Sequence, residues 1–90
     1  MPAYNEIYQW VREYGKSGVP DRRAVGDYVI CENDELIRRF RSQLYAVSQG
    51  NYDIEQFDKI VGMNRRIRHG SYEGWAKIML LWLNEADKKH

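Results

Sequence analysis

Apolar side chains recur along this chain at three- and four-residue steps, the period of a helix with one buried stripe. From Ala3 to Tyr14 the stripe is Tyr4, Ile7, Tyr8, Trp10, Val11 and Tyr14, with Asn5, Glu6, Gln9, Arg12 and Glu13 between them. Pro2 is tolerated before a first turn, and Gly15 and Gly18 stop the element. A further helix is predicted from Asn33, a good N-cap, through Leu36, Ile37, Phe40, Leu44 and Val47 to a stop at Gly50. Asp53 opens the next, with Gln56 three residues on as an approximate capping box, and Ile54, Phe57, Ile60, Val61 and Ile67 as its apolar positions. Gly62 lies inside that run and predicts a break or kink.

Residues 19–32 read two ways. As a helix, Pro20 and Asp21 suit its start and Ala24, Val25, Tyr28 and Val29 share a face. As a hairpin over 22–31, Gly26-Asp27 is the turn between Arg22–Val25 and Tyr28–Cys31. The helix is favoured, because no other segment resembles a strand and a lone hairpin is marginal. Ser71 caps the last helix, Tyr72 to about Asp87, on which Tyr72, Trp75, Met79, Trp82, Leu83 and Ala86 form one stripe. Ile78, Leu80 and Leu81 carry the apolar surface almost all the way around, which predicts a central, buried helix. The fold expected is all-α, a compact bundle of four to five short helices with the C-terminal helix central. The alternative is α+β, with the small hairpin at 22–31.

Size agrees with one core. Ninety residues make a single helical domain over 1–90, and 43% hydrophobic with 30% charged residues is a globular balance. The longest apolar run, Ile78–Leu83, is far too short to span a bilayer, so no membrane partner is expected. Neither a signal-like N-terminus nor paired cysteines are present, which by default favours the cytoplasm.

Chemistry is sparse. Two histidines, one of them the last residue, and a single cysteine do not compose an ordinary metal site, and no phosphate-loop or dinucleotide fingerprint occurs. No catalytic residue, metal or cofactor is therefore assigned. A small hydrolase-like enzyme would need Cys31 and His69 to meet in a cleft.

Net charge is only +1, but it is unevenly spread: residues 1–35 are acidic and 36–68 basic. Arginines cluster at 38–41 (Arg38, Arg39, Arg41) and at 65–68 (Arg65, Arg66, Arg68). Forked guanidinium groups suit phosphate or carboxylate partners, although solvated helix faces and internal ion pairs account for such clusters as well. The leading functional expectation is a non-enzymatic protein-interaction module, a homodimer or small subunit of an assembly. Its apolar contacts would be Tyr72, Trp75, Met79 and Trp82, with Arg65, Arg66 and Arg68 as a polar rim that orients an acidic partner. The alternative is a nucleic-acid-associated protein that uses both arginine clusters on one surface, though neither cluster fits the spacing of a helix-turn-helix.

Overall fold

A computed structural model describes residues 4–88. Among them the chain forms helices and no strand: α1 (Asn5–Glu13), α2 (Asp21–Cys31), α3 (Asp34–Ser48), α4 (Ile54–Phe57), a π-helical turn (Asp58–Gly62), α5 (Met63–His69) and α6 (Tyr72–Lys88). The pieces from 54 to 69 follow one another without a gap, giving five helical segments in an all-α bundle. Ala3, the expected start of the first helix, lies outside the described residues.

Each helix follows its apolar spacing. Residues 21–31 are helical because Ala24, Val25, Tyr28 and Val29 bury one face; Gly26-Asp27 sits mid-helix, and no hairpin forms. Asn33 caps α3, its side chain accepting the Leu36 N–H at 2.9 Å, and Ile37, Phe40, Leu44 and Val47 turn inward. Ser71 Oγ accepts the Gly74 N–H at 3.0 Å at the start of α6. The cap of α1 comes from elsewhere. Tyr4 offers no side-chain cap, and Gln43 of α3 supplies one instead, its Oε1 accepting the N–H groups of Glu6 and Ile7 at 3.1 and 3.2 Å. Gln43 Nε2 donates back to the Glu6 carboxylate. This is the capping-box exchange carried out across the fold rather than along the chain.

The break predicted at Gly62 is present. Its backbone takes φ 110° and ψ 126°, a combination that ends the π-helical turn and re-aims α5. The re-aimed helix buries no residue; Ile67 and Met63 are 67% and 50% exposed, and Ile54 also faces solvent. Ile54 and Ile67, expected among the apolar positions of this helix, are on the surface: Ile67 follows the π-helical turn and Gly62, which re-aim the chain, and Ile54 is the first residue of α4. Only Phe57 and Val61 of this segment are buried.

Aromatic rings form two clusters within the core. Tyr4, Tyr8, Tyr52, Phe57 and Tyr72 meet in mostly edge-on contacts with centroids 5.2–6.3 Å apart. Trp10, Phe40, Tyr28 and Trp75 form the second group. Helix α6 packs against α2, α3 and α5, as a central element should. Its apolar surface is not wholly enclosed, however. Leu81, on the edge it shares with the exposed Lys77, Asn84 and Lys88, is 52% exposed.

Candidate functional site

Tyr72, Trp75 and Met79 are completely buried inside this chain. They cannot serve as the partner-contact face expected of them; a small domain needs its largest rings for its own core. Trp82 is half-buried and borders a shallow pocket of about 170 Å³ with Arg22 and Glu85. The surplus apolar surface lies elsewhere. Of the chain's twelve aromatic rings only Tyr45 is exposed, at 61%.

Tyr45 lines a groove of about 460 Å³ between α3 and α6, whose floor is Leu80 and whose rim carries Arg38, Arg41, Ser42 and Asn84. Helical periodicity puts residues 38, 41, 42 and 45 on one outward strip of α3, and 80 and 84 on the facing strip of α6. Arg41 is anchored across the groove end, donating to Asp87 at 2.9 Å and to Asn84 at 3.3 Å. Arg38 makes no ion pair among the described residues and is exposed. The groove thus combines a ring, an aliphatic floor and an uncompensated cation.

The other arginines divide by environment. Arg39 pairs with Glu35 at 2.8 Å on the surface of α3 and approaches Glu6 at 3.9 Å. Arg66 forks onto Asp58 at 2.9 and 3.2 Å, and Tyr72 donates to the same carboxylate at 2.6 Å. Those two donors hold the Asp58 carboxyl below its usual range. Burial, together with donation to that carboxylate, pushes the Tyr72 phenol up.

Arg65 is the most fully engaged. Its Nε and Nη2 bind both oxygens of Asp21 at 2.9 Å, Nη2 also donates to Gly15 O at 2.7 Å, and Nη1 donates to Val61 O at 2.5 Å. The guanidinium stands 5.4 Å from the Trp10 ring centroid. Asp21 accepts in addition the indole N–H of Trp75 at 3.2 Å. Arg65 therefore ties the end of α1, the start of α2 and the π-helical turn together, and Asp21 extends the link to α6. Gly15 is required here, since a Cβ would stand 2.7 Å from the Trp10 ring and 3.0 Å from Arg65 Nη2. Arg68 remains exposed and without an ion pair among the described residues.

The two clusters reach α6 at different heights. Arg65 and Arg66 reach α6 at Trp75, through Asp21, and at Tyr72, whereas Arg41 reaches it at Asn84 and Asp87. Trp75 and Asp87 are about 18 Å apart along a helix rising roughly 1.5 Å per residue. Four of the six arginines are also occupied by carboxylates of this chain. That leaves Arg38 and Arg68 as the cluster arginines without an ion pair among the described residues.

Cys31 and His69 do not meet either. His69 feels Asp21, at the N-terminal end of α2, while Cys31 ends that helix, about 15 Å along its axis. Burial first, then the cations Arg68 and Arg65, hold the imidazole below its ordinary range despite Asp21. No group of three or more potential metal-ligating side chains occurs among the described residues, and no helix there is long and apolar enough to cross a membrane.

Sequence reasoning missed the roles of Tyr45, Leu80, Asp21 and Gln43. Tyr45 carried one signal: it falls off the Leu36–Val47 stripe, where a ring has no core to enter. Comparison of the chain with protein-family models, with curated proteins and with solved structures found no match, so the fold and this geometry are the ground for any functional reading.

Proposed function

We propose that this protein is a non-enzymatic protein-interaction module whose α3–α6 groove receives an acidic segment of a partner protein, anchored by an aliphatic or aromatic side chain. The observation that carries the reading is the exposure of Tyr45, the one ring left outside the core, over Leu80 and beside Arg38 and Arg41. Tyrosine and arginine are the residue types that concentrate binding energy at interfaces. A volume of about 460 Å³ falls within the range that holds a ligand or a few anchoring side chains. Arg38, lacking a carboxylate of its own among the described residues, supplies the charge complementarity that selects an acidic partner.

Panning a random peptide display library against the protein, with the Arg38→Glu/Tyr45→Ala double variant as comparison, tests the reading. Both positions are exposed, so the variant should keep its thermal midpoint. Enriched peptides should carry acidic residues around one large apolar residue and bind the variant about tenfold or more weakly. Selection without acidic bias, or equal binding to the variant, would refute it. Self-association that Tyr45→Ala abolishes would give the groove to a second copy of the chain instead.

A further inference from the structure

A second cavity lies on another side of the molecule, between the loop that follows α1 and the outer edge of α5. It encloses about 230 Å³. The loop is held down at Gly15, whose N–H donates to Trp10 O at 2.8 Å and whose carbonyl accepts Arg65. A turn closed by the Val19 N–H donating to Lys16 O at 3.1 Å then carries Lys16 and Ser17 along the cavity wall. From the opposite wall come Asn64, Arg65 and Arg68. Three cations thus converge on one small space.

A single carboxylate, Asp21, lines the cavity with them, and it is already spent on both forks of Arg65 and on the Trp75 indole. Lys16 and Arg68 have no ion pair among the described residues. Like charges that line one cavity repel, and the cost falls when an anion joins them. About two positive charges remain uncompensated, the charge a phosphate monoester carries near neutral pH. The Arg68 fork, the Lys16 ammonium and the Ser17 and Asn64 side chains are donors suited to its oxygens. No aromatic ring lines the cavity, so a nucleobase would find nothing to stack on.

We propose that this cavity binds a phosphate group that carries no nucleobase, as a small monoester or the free ion, gripped by Lys16 from the loop and Arg68 from α5, with Arg65 as the fixed cation beneath. The site is distinct from the α3–α6 groove, with which it shares no lining residue.

Titration with inorganic phosphate, phosphoserine and AMP at low ionic strength, followed by amide chemical shifts, provides the test. Phosphate and phosphoserine should saturate at about 1 mM or tighter. The shifts should centre on residues 15–19 and 64–68, with AMP binding no tighter than phosphoserine. Phosphoserine tighter than phosphate would identify a phosphorylated side chain as the source, and equal affinity the free ion; either supports the site. Lys16→Gln and Arg68→Gln, both at exposed positions, should each weaken binding about five- to tenfold. Arg38→Gln in the groove should leave it unchanged, so this proposal and the groove reading can fail separately. Shifts scattered over all basic residues, no saturation, full affinity in Arg68→Gln, or AMP binding tenfold tighter than phosphoserine would overturn it.

Discussion

Arg65 and Arg68 stand three residues apart in one cluster, yet the structure assigns them opposite weights in folding. Arg65→Ala would leave Asp21, whose side chain is 7% exposed, with the Trp75 indole as its remaining donor, and would orphan the carbonyls of Gly15 and Val61. Removing one member of a buried ion pair typically costs about 3–5 kcal/mol. Arg65 keeps 16% of its side-chain exposure, so water can reach part of the gap, and we predict a loss near the lower end, about 3 kcal/mol. A domain of this size is stable by only about 5–13 kcal/mol. The loss should lower the thermal midpoint by about 12–24 °C. Urea unfolding followed by circular dichroism would measure it, with Arg68→Ala as the control expected within about 0.5 kcal/mol of the parent. Arg65→Lys should recover only part of the loss, since an ammonium cannot reach Asp21, Gly15 and Val61 together. A double-mutant cycle with Asp21→Ala should show coupling of about 1–3 kcal/mol. An Arg65→Ala penalty under about 1 kcal/mol, or additive single losses in that cycle, would refute the reasoning.

Three further outcomes are expected. Gly15→Ala should destabilise by about 1–3 kcal/mol, because its Cβ would be driven into the Trp10 ring, and the same urea titration would register it. Gln43→Ala should cost about 1–2 kcal/mol by uncapping α1, with amide exchange quickening at Glu6 and Ile7 before it does in α6. Stability should fall on acidification in two stages. The imidazole of His69 is held below its ordinary 6.5, so the unfolded chain takes up its proton first and stability drops as pH falls through that value. Asp58 is likewise held below its ordinary 3.8, so its contribution is intact above that pH and is lost on going lower. Urea midpoints at a series of pH values should show the first stage vanish in His69→Gln and the second in Asp58→Asn.

The local elements of this protein were legible in its sequence because they depend on neighbours three and four residues away. The α3 stripe, the Asn33 and Ser71 caps and the break at Gly62 all follow from spacing and backbone preference. Residues 21–31 could be read in two ways, with the helix favoured for want of a second strand, and the structure adds the tertiary reason: Ala24, Val25, Tyr28 and Val29 have a core to enter, and no strand occurs among the described residues. The allocation of surfaces was legible only in part. Tyr72, Trp75 and Met79 on one side, and Tyr45 on the other, are all apolar residues on helices. Which of them faced water depended on what packed over them. The arginine clusters make the same point through charge. Arg65 finds its carboxylate 44 positions away and Gln43 finds the end of α1 some 37 positions away. No periodicity records such a pairing, because it rests on how five helical segments cross rather than on how any one is wound.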